Sequence, residues 1–594
     1  MEEGGYWQRL AGRRTSRRVA LRAGALGGLG MAAAYGLACS SSNNNKAPAK
    51  TGGAAPSGNA PAAGTPSGAA APAGASPAAA NAGEGNGKPG GTISFAFNAN
   101  PPNYDLVQFQ SYSISGFISL VYNGLLTFRN GTAQYPDSVD NTVVPDLVTA
   151  APEQPDNKTY IFKLRPDVKW QNVAPMNGRA LTADDIKWFY DYATTDPKSL
   201  DKADFNVIDK IETPDQQTVK MTLKNPSANF LTLIVGGFNR YIEPREVGEA
   251  GNLKTTLIGT GPFMLSSHEQ NVRAVFKKNP AYWKKNSFGQ QLPFVDEVDW
   301  LIIVDTGARL QAVQSRQANI SWILIADEYD QLKSSNGSDY NFDDTPGISD
   351  YIYMRLDQPP FNDKRVRQAM SMAIDRPALI QAIGKGKGDS DLPIPTYFKD
   401  FSLGLDKLGD LAKYYKRDLQ AAKQLMAAAG HADGIKTTFN YTAVYGAAFV
   451  QAFQLVQSYL KEIGIDATAR QVEYAPYLTS VFKGDFDGIT YGPRGLFDDP
   501  DPFVGYFYTP GSIYYQDHSD DKDLQAMIAK ERQELDKQAR INIFYDIQKY
   551  LSDQMYRVYD VSVDRYWARA KNVMNYRASS WFPYSEFETT WFSK

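Results

Sequence analysis

A single cysteine, Cys39, stands in the 594-residue chain, so no intrachain disulfide is possible. Histidine is nearly as scarce. His268, His431 and His518 lie far apart, each is read as a surface residue, and no His/Cys spacing reads as a metal site. The net charge is only −3 and the globular part carries no Lys/Arg cluster, which speaks against nucleic acid as a partner. Nucleophile elbow, phosphate loop, Cys/His dyad and zinc motif are all missing. Gly259-Thr260-Gly261-Pro262 resembles a phosphate loop only on the surface: no Lys follows, and Pro262 removes an amide. Neither a metal nor a cofactor is expected. An exported glycosidase working through paired carboxylates stays open, because acidic residues are plentiful.

What the chain does have is length and aromatic rings. Its size exceeds one ordinary core, so two or more lobes are expected. Its 35 tyrosines and 30 phenylalanines supply large contact area, with a polar handle on each tyrosine.

The first 39 residues read as an address. Ser16-Arg17-Arg18-Val19-Ala20-Leu21 resembles a twin-arginine export signal, followed by a weakly apolar segment, Ala23 to Leu37, too short for a membrane span. Its end, Gly36-Leu37-Ala38-Cys39-Ser40, resembles a bacterial lipobox, with Gly36 where Leu is usual. Cys39 is therefore the expected lipidation site, and a lipid anchor would hold the protein at the outer face of a membrane. Residues 40–88 are Ala, Gly, Pro, Ser and Asn with almost no large apolar side chain. They read as a flexible tether with a coil-like reach of roughly 35–40 Å.

The globular chain opens with an alternating strand, Gly91 to Phe97. Apolar residues at helical spacing predict a helix within Tyr112 to Phe128, with Gly124 near its end. Tyr160 to Leu164 and Thr218 to Leu223 are strands, and Thr182 with Asp185 forms a capping box. Asp363 starts a helix whose buried face is Val366, Ala369, Met370, Ala373 and Ile374. Asp418 starts another, ending at Gly430. Thr437 to Tyr441, the helix through Phe449, Phe453, Val456 and Leu460, and Ile465 to Arg470 make a βαβ unit. A further strand, Phe486 to Tyr491, runs into Asp498-Asp499-Pro500-Asp501-Pro502. Such a loop is either a solvated turn or the place where an α/β sheet meets a ligand beyond its strand ends.

Blocks along the chain resemble one family in its own order. They are Lys88-Pro89-Gly90-Gly91-Thr92, Tyr122-Asn123-Gly124-Leu125-Leu126, Val144-Pro145-Asp146-Leu147, Leu181-Thr182-Ala183-Asp184-Asp185, Gly259-Thr260-Gly261-Pro262-Phe263, Asn279-Pro280-Ala281-Tyr282-Trp283 and Pro360-Phe361-Asn362-Asp363-Lys364-Arg365-Val366. The family is the oligopeptide/dipeptide (family 5) solute-binding lipoproteins of bacterial ABC importers. Tyr104-Asp105-Leu106 and Gln317-Ala318-Asn319-Ile320 depart from its usual Leu-Asp-Pro and Gly-(Glu/Asp)-Ile-Asp.

The resemblance implies an α/β, periplasmic-binding-protein-like fold of the cluster C type: two lobes, a hinge and an inserted subdomain. Lobe I would hold 89–130, 256–358 and 560–594, the insert 131–255, and lobe II 359–559. It implies a monomeric, non-enzymatic protein that captures peptides in an interlobe cleft and delivers them to an ABC permease. A non-peptide solute, such as an oligosaccharide, an opine-like molecule or a metal complex, is the alternative. Asp498 falls on the aspartate that meets the peptide ammonium in oligopeptide binders, and Gln110, Ser111 and Tyr112 on a ligand-gripping segment. Tyr491 and Arg494 are expected to line the same cleft, and Gly495 stands where the family often has Trp.

Overall fold

The computed structural model describes residues 86–593, except 110–111, 129–142, 201, 238–239, 287, 346, 348, 496, 498, 513 and 577–584. The expected signal and tether lie outside the described residues.

A seven-stranded sheet is laid out in the order Tyr340–Thr345, Arg565–Ala570, Ile320–Leu324, Thr92–Phe97, Glu297–Ile302, Arg273–Lys278, Phe263–Glu269. Its centre is Thr92–Phe97, which pairs in parallel with both neighbours. Ile93, Phe95 and Phe97 are buried against Trp300 and Phe117 on one face, while Leu310, Val313 and Tyr329 fill the other. The helix expected within Tyr112 to Phe128 spans Tyr112–Val121 only, and Leu126–Phe128 is a strand. Gly124 lies between them, where a Cβ would press on the Arg240 carbonyl at 2.8 Å.

The second sheet has six strands: Gly388–Ser390, Val558–Val563, Ser349–Met354, Ile489–Pro493, Ile435–Tyr441, Ile465–Gln471. Ile435–Tyr441 pairs in parallel with Ile465–Gln471 and with Ile489–Pro493. The helix Ala447–Glu462 makes the crossover of the βαβ unit, burying Phe449, Phe453, Val456 and Leu460 at helical spacing. Asp363 and Asp418 cap their helices by accepting from Arg365 N and Ala421 N, bonds worth about 1 kcal/mol each. A smaller sheet of Thr159–Lys163, Thr218–Leu223 and Ile208–Asp215 lies in the inserted stretch. Its core, with Tyr160, Phe189 and Phe230, runs without a break into that of the six-stranded sheet, with Phe439, Tyr491 and Phe503.

The chain passes between the two large sheets after Thr345, which ends one strand, and before Ser349, which begins the next, and again at Asp564. Ser349–Met354 and Val558–Val563 both belong to the six-stranded sheet. The two passages touch. Ser562 Oγ donates to the Gly347 carbonyl at 3.0 Å, and a Cβ on Gly347 would overlap the Val563 carbonyl oxygen.

Candidate functional site

Because three strands of the second sheet run parallel, their carboxyl ends open on one edge, where α/β sheets bind ligands. Three loops rise there: 442–446, 472–473 and 494–501.

The first two loops form an aromatic group that the sequence reading missed. Tyr445 packs against Phe449, Tyr474 and Tyr477 with ring centroids 5.1, 5.8 and 6.4 Å away. The Tyr477 hydroxyl donates to the Tyr491 carbonyl at 2.7 Å and anchors the group to the neighbouring strand. Tyr474 and Val444 keep 38% and 60% of their surface exposed. The available signal was an apolar run, Ala443-Val444-Tyr445, in a loop directly after a parallel strand.

Under the third loop sit Tyr491 and Arg494, both expected to line a cleft. Each is buried and bonded inside the protein. Tyr491 donates to Asp560 Oδ2 at 2.5 Å; burial, reinforced by the Asp560 charge, holds its hydroxyl well above the ordinary tyrosine value. Arg494 donates to Asp391 Oδ1 at 2.9 Å and to the Leu392 carbonyl at 3.0 Å, and also bonds the Tyr351 hydroxyl. Its guanidinium lies 4.4 Å from the Phe503 ring centroid. Burial disfavours this cation, but Asp391 together with Tyr351 and Tyr397 outweighs burial and raises its pKa. Both residues fix the loop from below.

Two aspartates of the acidic run are also engaged internally. Asp501 is fully buried and accepts from Arg532 Nε at 2.5 Å and Nη2 at 2.8 Å. Burial would raise its carboxyl, yet Arg532 overcomes this and holds it down at about 2. Asp499 accepts from Arg540 at 2.9 Å and from the Thr232 hydroxyl at 3.0 Å. Arg540 also pairs with Glu531 at 2.9 Å; burial and the nearby Asp501 charge push Glu531 well above the ordinary carboxyl range. Thr232 belongs to the insert, so this cluster ties the insert to the second sheet's helices. A second tie joins Tyr506 to Asp204, which also pairs with Arg240. Beside them is a cavity of about 390 Å³ whose lining includes Asp204, Asn229, Leu233, Tyr506, Ile528 and Arg532.

Asp498, Gln110, Ser111 and Cys39 lie outside the described residues, as does the Tyr112 side chain; Tyr112 is the first residue of the helix Tyr112–Val121. The segment leading to it is firmly held. Asp105 accepts from Val107 N at 3.1 Å, Gln108 N at 3.0 Å and the Tyr192 hydroxyl at 3.1 Å. Tyr104 shares a 2.6 Å hydrogen bond with His268, which is partly buried rather than a surface residue. Asn319, in the other departure, accepts from Ser94 N at 2.8 Å and so splints two parallel strands. Both departures have structural employment.

The family described as bacterial extracellular solute-binding proteins, family 5 Middle, matches residues 142–515. The chain belongs to this family. Family 5 proteins are solute-binding components of ABC transporters rather than enzymes, with an extracytoplasmic place of work. Among relatives, the Di/tripeptide-binding protein 2 of Pseudomonas aeruginosa is 24% identical over 513 residues, covering 82% of this chain and 92% of its own. The fold is that of solved family structures. The periplasmic binding protein DppA of Helicobacter pylori, in complex with the peptide STSA, superposes with a TM-score of 0.73 at 21% identity, covering 85% of this chain and 99% of its own. The binding protein AgaA from A. tumefaciens R10, in complex with agropinic acid, gives 0.73 at 23% identity over 85% of this chain and 99% of its own. No helix among the described residues is long and apolar enough to cross a membrane.

Proposed function

We propose that this family 5 protein captures peptides between its two large sheets and hands them to the membrane-spanning subunits of an ABC importer, working as a lipid-anchored monomer held through Cys39. In this reading the seven-stranded sheet is lobe I, the six-stranded sheet lobe II, and the paired passages between Thr345 and Ser349 and at Asp564 are the hinge. The relative from P. aeruginosa, a di/tripeptide-binding protein, supports the ligand class.

The observation that carries the reading is the acidic loop beyond the parallel strand ends. Asp499 and Asp501 have internal cationic partners, so the task of meeting a peptide ammonium falls to Asp498, helped by Gln110, Ser111 and Tyr112. An ammonium enclosed in a closing cleft needs a carboxylate, since an unpaired buried charge costs several kcal/mol. The test is calorimetry with a peptide and its N-acetylated form. Tighter binding of the free amine supports the reading, and equal affinity contradicts the role of Asp498. A non-peptide solute is the second reading, favoured by the likeness to a protein holding agropinic acid; binding of such a solute with no peptide binding would select it.

A further inference from the structure

The edge that carries the acidic loop also presents an apolar surface, and charge and exposure there say what it takes. Val444 and Tyr474 are among the few large apolar side chains left exposed on the described protein, at 60% and 38%. Val444 stands on the loop after the parallel strand Ile435–Tyr441, and Tyr474 opens the helix Tyr474–Lys483 shortly after its neighbour Ile465–Gln471. Their support is rigid. Tyr445 packs between Phe449, Tyr474 and Tyr477, and Tyr477 is tied to the Tyr491 backbone. A preformed aromatic surface costs little entropy to use, which suits it to binding.

The two loops contain no cation. They read Thr442-Ala443-Val444-Tyr445-Gly446 and Val472-Glu473, and Tyr474 follows directly. The cation of the third loop, Arg494, is buried and committed to Asp391. Glu473 is the charge these two loops carry, and the exposed Arg470 at the strand end below donates to Asn440 Oδ1 at 2.6 Å.

We propose that Val444 and Tyr474, backed by Tyr445, form a specificity-determining seat for an apolar or aromatic side chain of the bound peptide. The inference rests on the peptide-binding reading and extends it from ligand class to side-chain preference. The seat is continuous with the loop that would read the ammonium, since the strands beneath both are hydrogen-bonded neighbours.

The test uses the full-length chain and alanine peptides of three to six residues, each carrying one Ala→Phe replacement at successive positions, measured by calorimetry. Phe at one position should tighten binding about ten-fold over the all-alanine parent. In Tyr474→Ala the gain from Phe over the parent should vanish. Tyr474→Phe should restore the gain, and Val444→Ser should reduce it. Both positions are exposed, and melting temperatures check that each variant folds. Peptide binding without any Phe preference, or a Phe gain that survives Tyr474→Ala, would overturn the seat and leave the peptide reading standing. Failure of every peptide, the all-alanine parent included, would overturn the peptide reading and the seat with it.

Discussion

Replacing Arg532 by leucine removes the partner of Asp501, the more deeply buried of the two described carboxylates, Asp499 and Asp501, in the acidic loop. Asp501 has no exposed surface, whereas the Arg532 side chain keeps 32% of its own. The charge left behind is thus the one that water cannot reach. Breaking a buried pair on one side costs about 3–5 kcal/mol; partial exposure of the arginine places the expected loss near the lower end. At about 2–4 °C per kcal/mol for a unit of 150–250 residues, the melting transition of the second sheet should fall by roughly 6–12 °C. The assay is differential scanning calorimetry on wild type, Arg532→Leu, Asp501→Asn and the double variant. The double variant should be less damaged than the two losses added, by about 0.5–3 kcal/mol, because neither buried charge is then stranded. A melting temperature for Arg532→Leu within about 2 °C of wild type, or strict additivity, would refute the reasoning.

The pH dependence follows from the same pair. The Asp501 carboxyl is held at about 2, below its ordinary 3.8, so the stability it contributes is complete above the ordinary value and is lost as pH falls toward 2. The difference amounts to roughly 2–3 kcal/mol, and Asp501→Asn should flatten the stability-against-pH curve in that window. Gly347→Ala should destabilise by about 1–3 kcal/mol and hinder closure, since the new methyl would meet the Val563 carbonyl where the two passages touch; scattering with and without ligand reads the compaction. Asp498→Asn should lose ten-fold or more in affinity for a free-amine peptide, with little loss for the N-acetylated form, measured by calorimetry (a ten-fold change is about 1.4 kcal/mol). Cys39→Ala should release the protein from the membrane fraction or block its maturation, and unchanged retention would contradict the lipid anchor.

Elements set by local chemistry were legible in the sequence. The βαβ unit, the caps at Asp363 and Asp418, and the Thr182/Asp185 capping box all form as their residues demand. Long-range pairing was not legible. Asp499 and Asp501 read as free acids until the helices bearing Arg532 and Arg540 fold back onto them. Nothing near Arg494 in sequence announces Asp391, so a strand-end arginine looked like a cleft residue while it is a buried brace. The helix after Tyr112 stopped early for a similar reason: Gly124 is required by the approach of the Arg240 backbone, far along the chain. Val444, Tyr445 and Tyr474 looked like ordinary apolar residues because only the parallel pairing brings their loops together at one edge.

The central claim is that this chain carries peptides. Mass spectrometry of small molecules released from protein purified under gentle conditions tests it most directly, followed by calorimetry with whatever is found. The account predicts intact peptides with free amino termini that remain uncleaved on prolonged incubation. Release of a non-peptide solute that rebinds tightly, while peptides do not bind, would contradict it.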